Sequence, residues 1–131
     1  MQAATKAGGM ALSEVDVCKT QVGDAVVPIP YPNTAELNKA EGVSTKVKIV
    51  DHEAVTLASS VPSSITGPAP GLIGGVISNT LNGKCKFIAG SLKVNIEGHP
   101  AIRLNDPTTQ NKKNCEGSVA VPSQLKVIIN G

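Results

Sequence analysis

Aromatic side chains are almost missing from this chain, which has one Tyr (Tyr31), one Phe (Phe87) and no Trp among 131 residues. Aromatics usually supply the largest single burials. The core must therefore be assembled from Val, Ile, Leu and Ala, and it must be thin or completed by a partner. Charge is scarce as well: 17% of residues are charged and the formal net charge is +2, too little to argue for nucleic acid on electrostatics alone. No apolar run approaches the length of a membrane span, and Met1 to Met10 lack the apolar stretch of a signal peptide. A protein made and folded in the cytoplasm is expected, with any export following a route that reads no cleavable signal. Three cysteines, Cys18, Cys85 and Cys115, cannot all pair within one chain, and no C-x-x-C spacing suggests a zinc ribbon, so reduced thiols are the default. Catalytic signatures are missing too. There is no G-x-S-x-G, H-E-x-x-H, P-loop or dinucleotide fingerprint, and Asp16, Asp24, Asp51 and Asp106 are scattered, so no enzyme is expected.

What the chain does have is turns and a repeat. Thirteen Gly and nine Pro imply many turns and few long elements. The phrase Lys46-Val47-Lys48-Ile49-Val50-Asp51-His52-Glu53-Ala54-Val55-Thr56-Leu57 returns as Lys93-Val94-Asn95-Ile96-Glu97-Gly98-His99-Pro100-Ala101-Ile102-Arg103-Leu104. A truncated copy, Lys126-Val127-Ile128-Ile129-Asn130-Gly131, closes the sequence. Each copy alternates apolar and polar residues before a turn pair, the pattern of a β-hairpin. The uneven spacing argues against a strict solenoid and for hairpins folded around a common axis. Val47, Ile49, Val94, Ile96, Val127 and Ile129 are expected to pack towards that axis. The last copy stops at its turn: either the sequence is cut there or the C-terminus itself forms part of a tip.

The remaining chain reads as an all-β fold. Residues 1–14 are small and polar and read as a flexible lead to a single domain over 15–131. Val15 to Lys19 suits a short strand. Val26 to Asn33 carries Pro28, Pro30 and Pro32 at alternate positions, which confines it to an extended edge, and Thr34 to Ala40 suits one helical turn. The loop Ser59 to Gly75 is long and lacks phosphate-binding logic, with no helix opening after it. Val76 to Leu81 and Lys84 to Ile88 flank Asn82-Gly83, the strongest two-residue hairpin signal in the chain.

His52 and His99 occupy the same place in two copies. If the hairpins converge, Cys115 or Cys18 could complete a His/Cys set suited to one zinc ion; the alternative is a polar residue beside each turn. Lys46, Lys48, Lys84, Lys86, Lys93, Lys112 and Lys113 could line a basic surface for nucleic acid or glycan. With so few stacking platforms, protection of exposed strands is the favoured reading.

The second repeat continues into Asn105-Asp106-Pro107-Thr108-Thr109, and Lys93 to Thr109 resembles the hallmark of PAAR proteins. Pro100-Ala101-Ile102-Arg103 stands for the Pro-Ala-Ala-Arg run and Asn105-Asp106 for the Gly-Asp after it. Cys18-Lys19-Thr20, Pro28 to Asn33, Gly74 to Ser78, Gly83 to Phe87, Asn111 and Asn114 are similar to the PAAR-like branch, so the likeness runs from about Val17 to Asn114. Pro68-Ala69 replaces an acidic pair, and Gln110 stands where relatives often carry a His. The resemblance implies a cone of β-hairpins in pseudo-threefold arrangement that caps the trimeric VgrG spike of a type VI secretion system or a related contractile injection particle. It implies sharpening of the tip, recruitment of an effector or its chaperone, and one zinc near the tip through His and Cys. It also implies export from the bacterial cytoplasm on the spike, with the target membrane met only on puncture. No toxin domain follows, so a stand-alone tip is expected. The other reading is a small basic β-domain binding nucleic acid or glycan.

Overall fold

The computed structural model describes residues 1–67 and 69–130. Pro68 and Gly131, which the readings of the long loop and of the third turn pair touch, lie outside the described residues. Two long strands dominate, β1 (Met10–Val22) and β2 (Ala25–Glu36), paired antiparallel from Met10↔Glu36 to Val22↔Ala25. Gly23, at φ +59°, opens the turn between them, a conformation that costs glycine nothing. The prolines sit as expected. Pro28 and Pro30 pair with β1 on one side, while the neighbour on the other, β6 (Ile65–Thr66), meets only Asn33 and Thr34. Their missing donors therefore fall along an open edge. The helical turn shrinks to a 3-10 turn at Leu37–Lys39, with Leu37 fully buried.

The remaining strands are short: β3 (Lys48–Ile49), β4 (His52–Glu53), β5 (Ser60–Val61), β7 (Leu72–Gly75), β8 (Cys85–Phe87), β9 (Asn95–Ile96) and β10 (His99–Pro100). After them come β11 (Pro107–Gln110) and β12 (Cys115–Val121). The main sheet has the order β5-β8-β11-β12-β1-β2-β6, with β7 also on β1. The hairpins β3-β4 and β9-β10 stand apart as two small sheets. The fold is all-β, as the alternation of short apolar runs and turns requires.

Two expectations are corrected. Val76–Leu81 and Lys84–Ile88 do not form a hairpin: β8 pairs with β5 and β11, and β7 pairs with β1. Side-chain acceptors have captured the turn instead. The N–H groups of Ile77 and Ser78 donate to Asn114 Oδ1 at 2.8 and 3.0 Å, Gly83 N donates to Asn111 Oδ1 at 2.8 Å, and Thr66 N donates to Asn82 Oδ1 at 2.9 Å. Residues 1–14 are not a loose lead either. Ala3, Ala4 and Thr5 are buried, and isolated bridges join Gln2 to Ile128, Ala3 to Arg103 and Thr5 to Ala54.

Two apolar clusters result. The larger lies under the main sheet and includes Leu37, Val55, Val61, Phe87, Ile102 and Val119. The smaller gathers Ala3, Ile49, Ala54, Ile96, Ala101 and Ile129 at the hairpin end, with Val94 packed against it. Ile49 with Ala54 and Ile96 with Ala101 come from the first two repeats, Ile129 comes from the third, and Ala3 joins them from the start of the chain.

Candidate docking site

The three repeats close into a ring. In the first, Ile49 pairs with His52 and Lys48 with Glu53; in the second, Ile96 pairs with His99 and Asn95 with Pro100. Val50 and Asp51 (φ 51° and 66°) and Glu97 and Gly98 (φ 53° and 85°) make left-handed turns, the two-residue hairpin geometry that suits strand twist. The third hairpin is discontinuous. Its outgoing arm is Val127 to Ile129, and its return arm is Met1 to Ala3: Ile128 bridges Gln2, Ala3 N donates to Val127 O at 3.1 Å, and Ile129 N donates to Met1 O at 2.8 Å. Met1-Gln2-Ala3-Ala4-Thr5 thus stands where His52 to Thr56 and His99 to Arg103 stand in the other copies.

Backbone hydrogen bonds then run from arm to arm around the axis. Ala4 N donates to Ile102 O (2.8 Å), Ile102 N to Val55 O (3.1 Å) and Val55 N to Ala4 O (3.0 Å). A second cycle lies beside the first: Lys6 N to Glu53 O, Leu57 N to Pro100 O and Leu104 N to Gln2 O, at 2.9–3.0 Å. Within each cycle an arm donates to one neighbour and accepts from the other, and the two cycles run in opposite senses, so no arm is an edge within the ring. The Ala of each repeat is buried to 1% or less, and only a small side chain allows three backbones to approach so closely.

Of the six residues expected to face the axis, Ile49, Ile96 and Ile129 are buried in the small cluster and Val94 packs against it. Val47 and Val127 do not: they are 38% and 36% exposed. Leu92 and Leu125, two positions before Val94 and Val127, are 95% and 72% exposed, and Ile128 is 61% exposed. The pseudo-threefold end therefore offers apolar side chains to solvent. Glu97 braces it: its carboxylate accepts from the N–H groups of Thr45, Lys46 and Val47 at 3.0–3.2 Å. Those N–H groups, Lys46 first, hold its pKa below the usual carboxylate range.

His52 and His99 lie exposed beside their turns. Their counterpart in the third copy is Met1. Cys18 and Cys115 lie elsewhere, buried on β1 and β12, so the His/Cys set is not assembled. Among the described residues no group of three or more His, Cys, Asp and Glu side chains stands at metal-binding spacing. Burial first, then the nearby Asp16, pushes the Cys18 thiol up to about 12; burial also raises Cys85 to about 12 and Cys115 to about 11.

By spacing alone Asp16 is one of several scattered carboxylates. It is in fact the buried node of the main sheet, with no exposed surface. It accepts from Thr66 Oγ1 at 2.7 Å, Asn114 Nδ2 at 2.6 Å, Asn33 Nδ2 at 3.2 Å and Asn111 Nδ2 at 3.2 Å. Gln110, fully buried, donates to Asn33 O and Oδ1 at 3.0 and 2.8 Å. The asparagines that patterned with the PAAR-like branch are thus tied to one carboxylate, and they in turn hold the turns at Ile77, Ser78 and Gly83.

A family model described as a toxin PAAR-like domain matches residues 9–117. The chain is also 29% identical, over 97 residues, to the DNase toxin Tse7 of Pseudomonas aeruginosa (strain PAO1). That match covers 72% of this chain and 25% of the toxin, so the chain spans about a quarter of the curated relative. No solved structure matches.

Proposed function

Because the chain belongs to the toxin PAAR-like domain family, we propose that it is a non-enzymatic tip protein that caps the trimeric VgrG-type spike of a type VI secretion system or a related contractile injection system. The observation that carries this reading is the closed cycle of backbone hydrogen bonds through Ala4, Val55 and Ile102. A single chain can make like contacts with all three subunits of a trimer only through a face that repeats three times about one axis, and this end is built that way. The partner would meet near-equivalent outgoing arms at Val47, Val94 and Val127. It would bury Leu92 and Leu125, which are otherwise left to water. Burying an exposed Leu is worth about 1.5–3 kcal/mol, and apolar area at the centre of an interface is where binding energy concentrates.

No enzymatic activity is assigned to this chain; DNase activity is named for the relative, of which the match covers a quarter. Delivery of an effector, or contact with its chaperone, would use the surfaces left free once the pseudo-threefold end is covered. Export on the spike from the bacterial cytoplasm, with puncture of a target membrane, goes with this role. One zinc held near the tip belongs to the same family expectation. His52 and His99 with Cys18 or Cys115 do not fit as its ligands, since histidines and cysteines lie in different parts of the fold.

The test is copurification of the full chain with a trimeric spike protein from the same genome. Leu92→Glu and Leu125→Glu, both at exposed positions, should leave folding intact and weaken capture at least about tenfold. Capture equal to wild type by the double variant would refute docking through this end.

A further inference from the structure

Four lysines, Lys84, Lys86, Lys112 and Lys113, line a cleft of about 440 Å3 together with Thr109. Protection of a strand edge does not account for them. Lys86 lies on β8, which is interior to the main sheet between β5 and β11 and pairs with both. Lys112 and Lys113 lie in the turn between β11 and β12, where Asn111, Lys112 and Lys113 all take left-handed backbone conformations (φ 50°, 55° and 66°). Glycine, or at some cost asparagine, suits such positions. Lysine there is retained against local strain, and strain held in place points towards function.

The cleft is also held rigid. Lys112 N donates to Lys84 O at 2.9 Å, which joins its two walls. Asn111 is anchored to the buried Asp16, and Gly83 N donates to Asn111 Oδ1. A Cβ at Gly83 would meet backbone atoms of Asn111 and Lys112 at 2.9 Å, so the close approach of the walls needs glycine there. Among the described residues none of the four lysines is in an ion pair; the pairs are Lys39 with Glu36 and Arg103 with Asp106.

We propose that this cleft binds an extended acidic segment of a partner protein, with carboxylates at alternate positions. Lys84 and Lys86, two apart along an extended stretch, stand roughly 7 Å from each other. Alternate side chains of an extended peptide repeat at the same distance, so successive carboxylates would meet successive ammonium groups. Nucleic acid fits less well. The chain's one arginine, Arg103, is engaged by Asp106. Neither aromatic lines the cleft: Phe87 is buried, and the Tyr31 hydroxyl is held at Thr20 Oγ1. Base stacking, the usual support of single-strand binding, has no platform here.

Fluorescence anisotropy on the full chain tests this with two probes of equal charge, a labelled peptide of alternating glutamate and serine and a labelled oligothymidylate. About 0.1 M salt, with a screening length of about 10 Å, is a suitable condition. The peptide should bind saturably and at least about tenfold more tightly than the oligonucleotide. Lys112→Gly with Lys113→Gly should cut peptide affinity about tenfold while the melting temperature holds or rises, since glycine suits the turn. Lys84→Ser with Lys86→Ser, on an exposed strand face, gives the same reading should the turn variant fold poorly. No saturable peptide binding, tighter binding of the oligonucleotide, or unchanged affinity in the lysine variants would each overturn the proposal.

Discussion

Replacing Asp16 by Asn removes a buried carboxylate while keeping the side chain's shape, and the magnitude follows from its partners. Three amide donors and one hydroxyl converge on the two oxygens. An Asn can present only one acceptor oxygen. Its NH2 group would confront Asn33 Nδ2 or Asn111 Nδ2, donor against donor. Asn33 Nδ2 has other acceptors in Ser64 Oγ and Thr66 Oγ1, at 3.0 Å each, and Asn114 Nδ2 keeps Val17 O at 3.0 Å. The residual cost is thus one or two buried donors without good partners, at about 1–3 kcal/mol each, plus the loss of charge-assisted bonds. About 2–4 kcal/mol is expected. In urea, with a slope of about 2 kcal/mol/M for a domain this size, the midpoint should fall by about 1–2 M. Hydrogen exchange should quicken at the N–H groups of Ile77, Ser78 and Gly83, which Asn114 and Asn111 hold. A midpoint within about 0.3 M of wild type, with unchanged exchange, would refute the node as the organiser of these turns.

Other outcomes follow from the same geometry. Ile96→Ala, inside the small cluster, should cost about 2–5 kcal/mol in urea unfolding, whereas Val127→Ala, at a site 36% exposed, should cost under about 1 kcal/mol. The backbone N–H groups of Lys46, Thr45 and Val47 favour the ionised Glu97 carboxylate and hold its pKa below the usual carboxylate range. Its contribution should therefore be present above the ordinary carboxylate pKa and disappear as pH falls through the lower folded value; exchange at the N–H groups of Thr45 to Val47 should rise in acid, and Glu97→Gln should abolish that change. The three buried thiols are raised to about 11–12, so the fold favours their protonated form. Their contribution is whole below the ordinary thiol pKa and is lost as pH climbs towards those values, so thermal stability should decline from about pH 9 upward. Alkylation at pH 8 should be far slower in the native protein than in denaturant.

The repeat was legible because its residues do the same work in each copy: Ile49, Ile96 and Ile129 all enter the small cluster, and Ala54 and Ala101 admit the close approach of backbones. The third return arm was not legible. Met1 to Thr5 shares only Ala3 and Thr5 with the other copies, so pairing that closes from the far end of the chain left no periodic mark. The docking leucines had a signal, since Ser91-Leu92-Lys93-Val94 and Gln124-Leu125-Lys126-Val127 align two positions upstream of the recognised phrase. Asn82-Gly83 misled because local turn propensity was outweighed by side-chain acceptors from Asn111 and Asn114. The Asp16 node joins residues up to 98 apart in sequence, and nothing in local spacing marks such a set. His52 and His99 recur with the repeat whereas Cys18 and Cys115 lie on β1 and β12, and spacing along the chain carries no sign of that separation.

The central claim is that one chain, through an internal threefold, seats on a threefold partner. Native mass spectrometry of the complex formed with the trimeric spike protein tests it most directly. The expected mass is that of three spike chains with one copy of this protein. Three copies on one trimer, or no complex at micromolar concentrations, would contradict it.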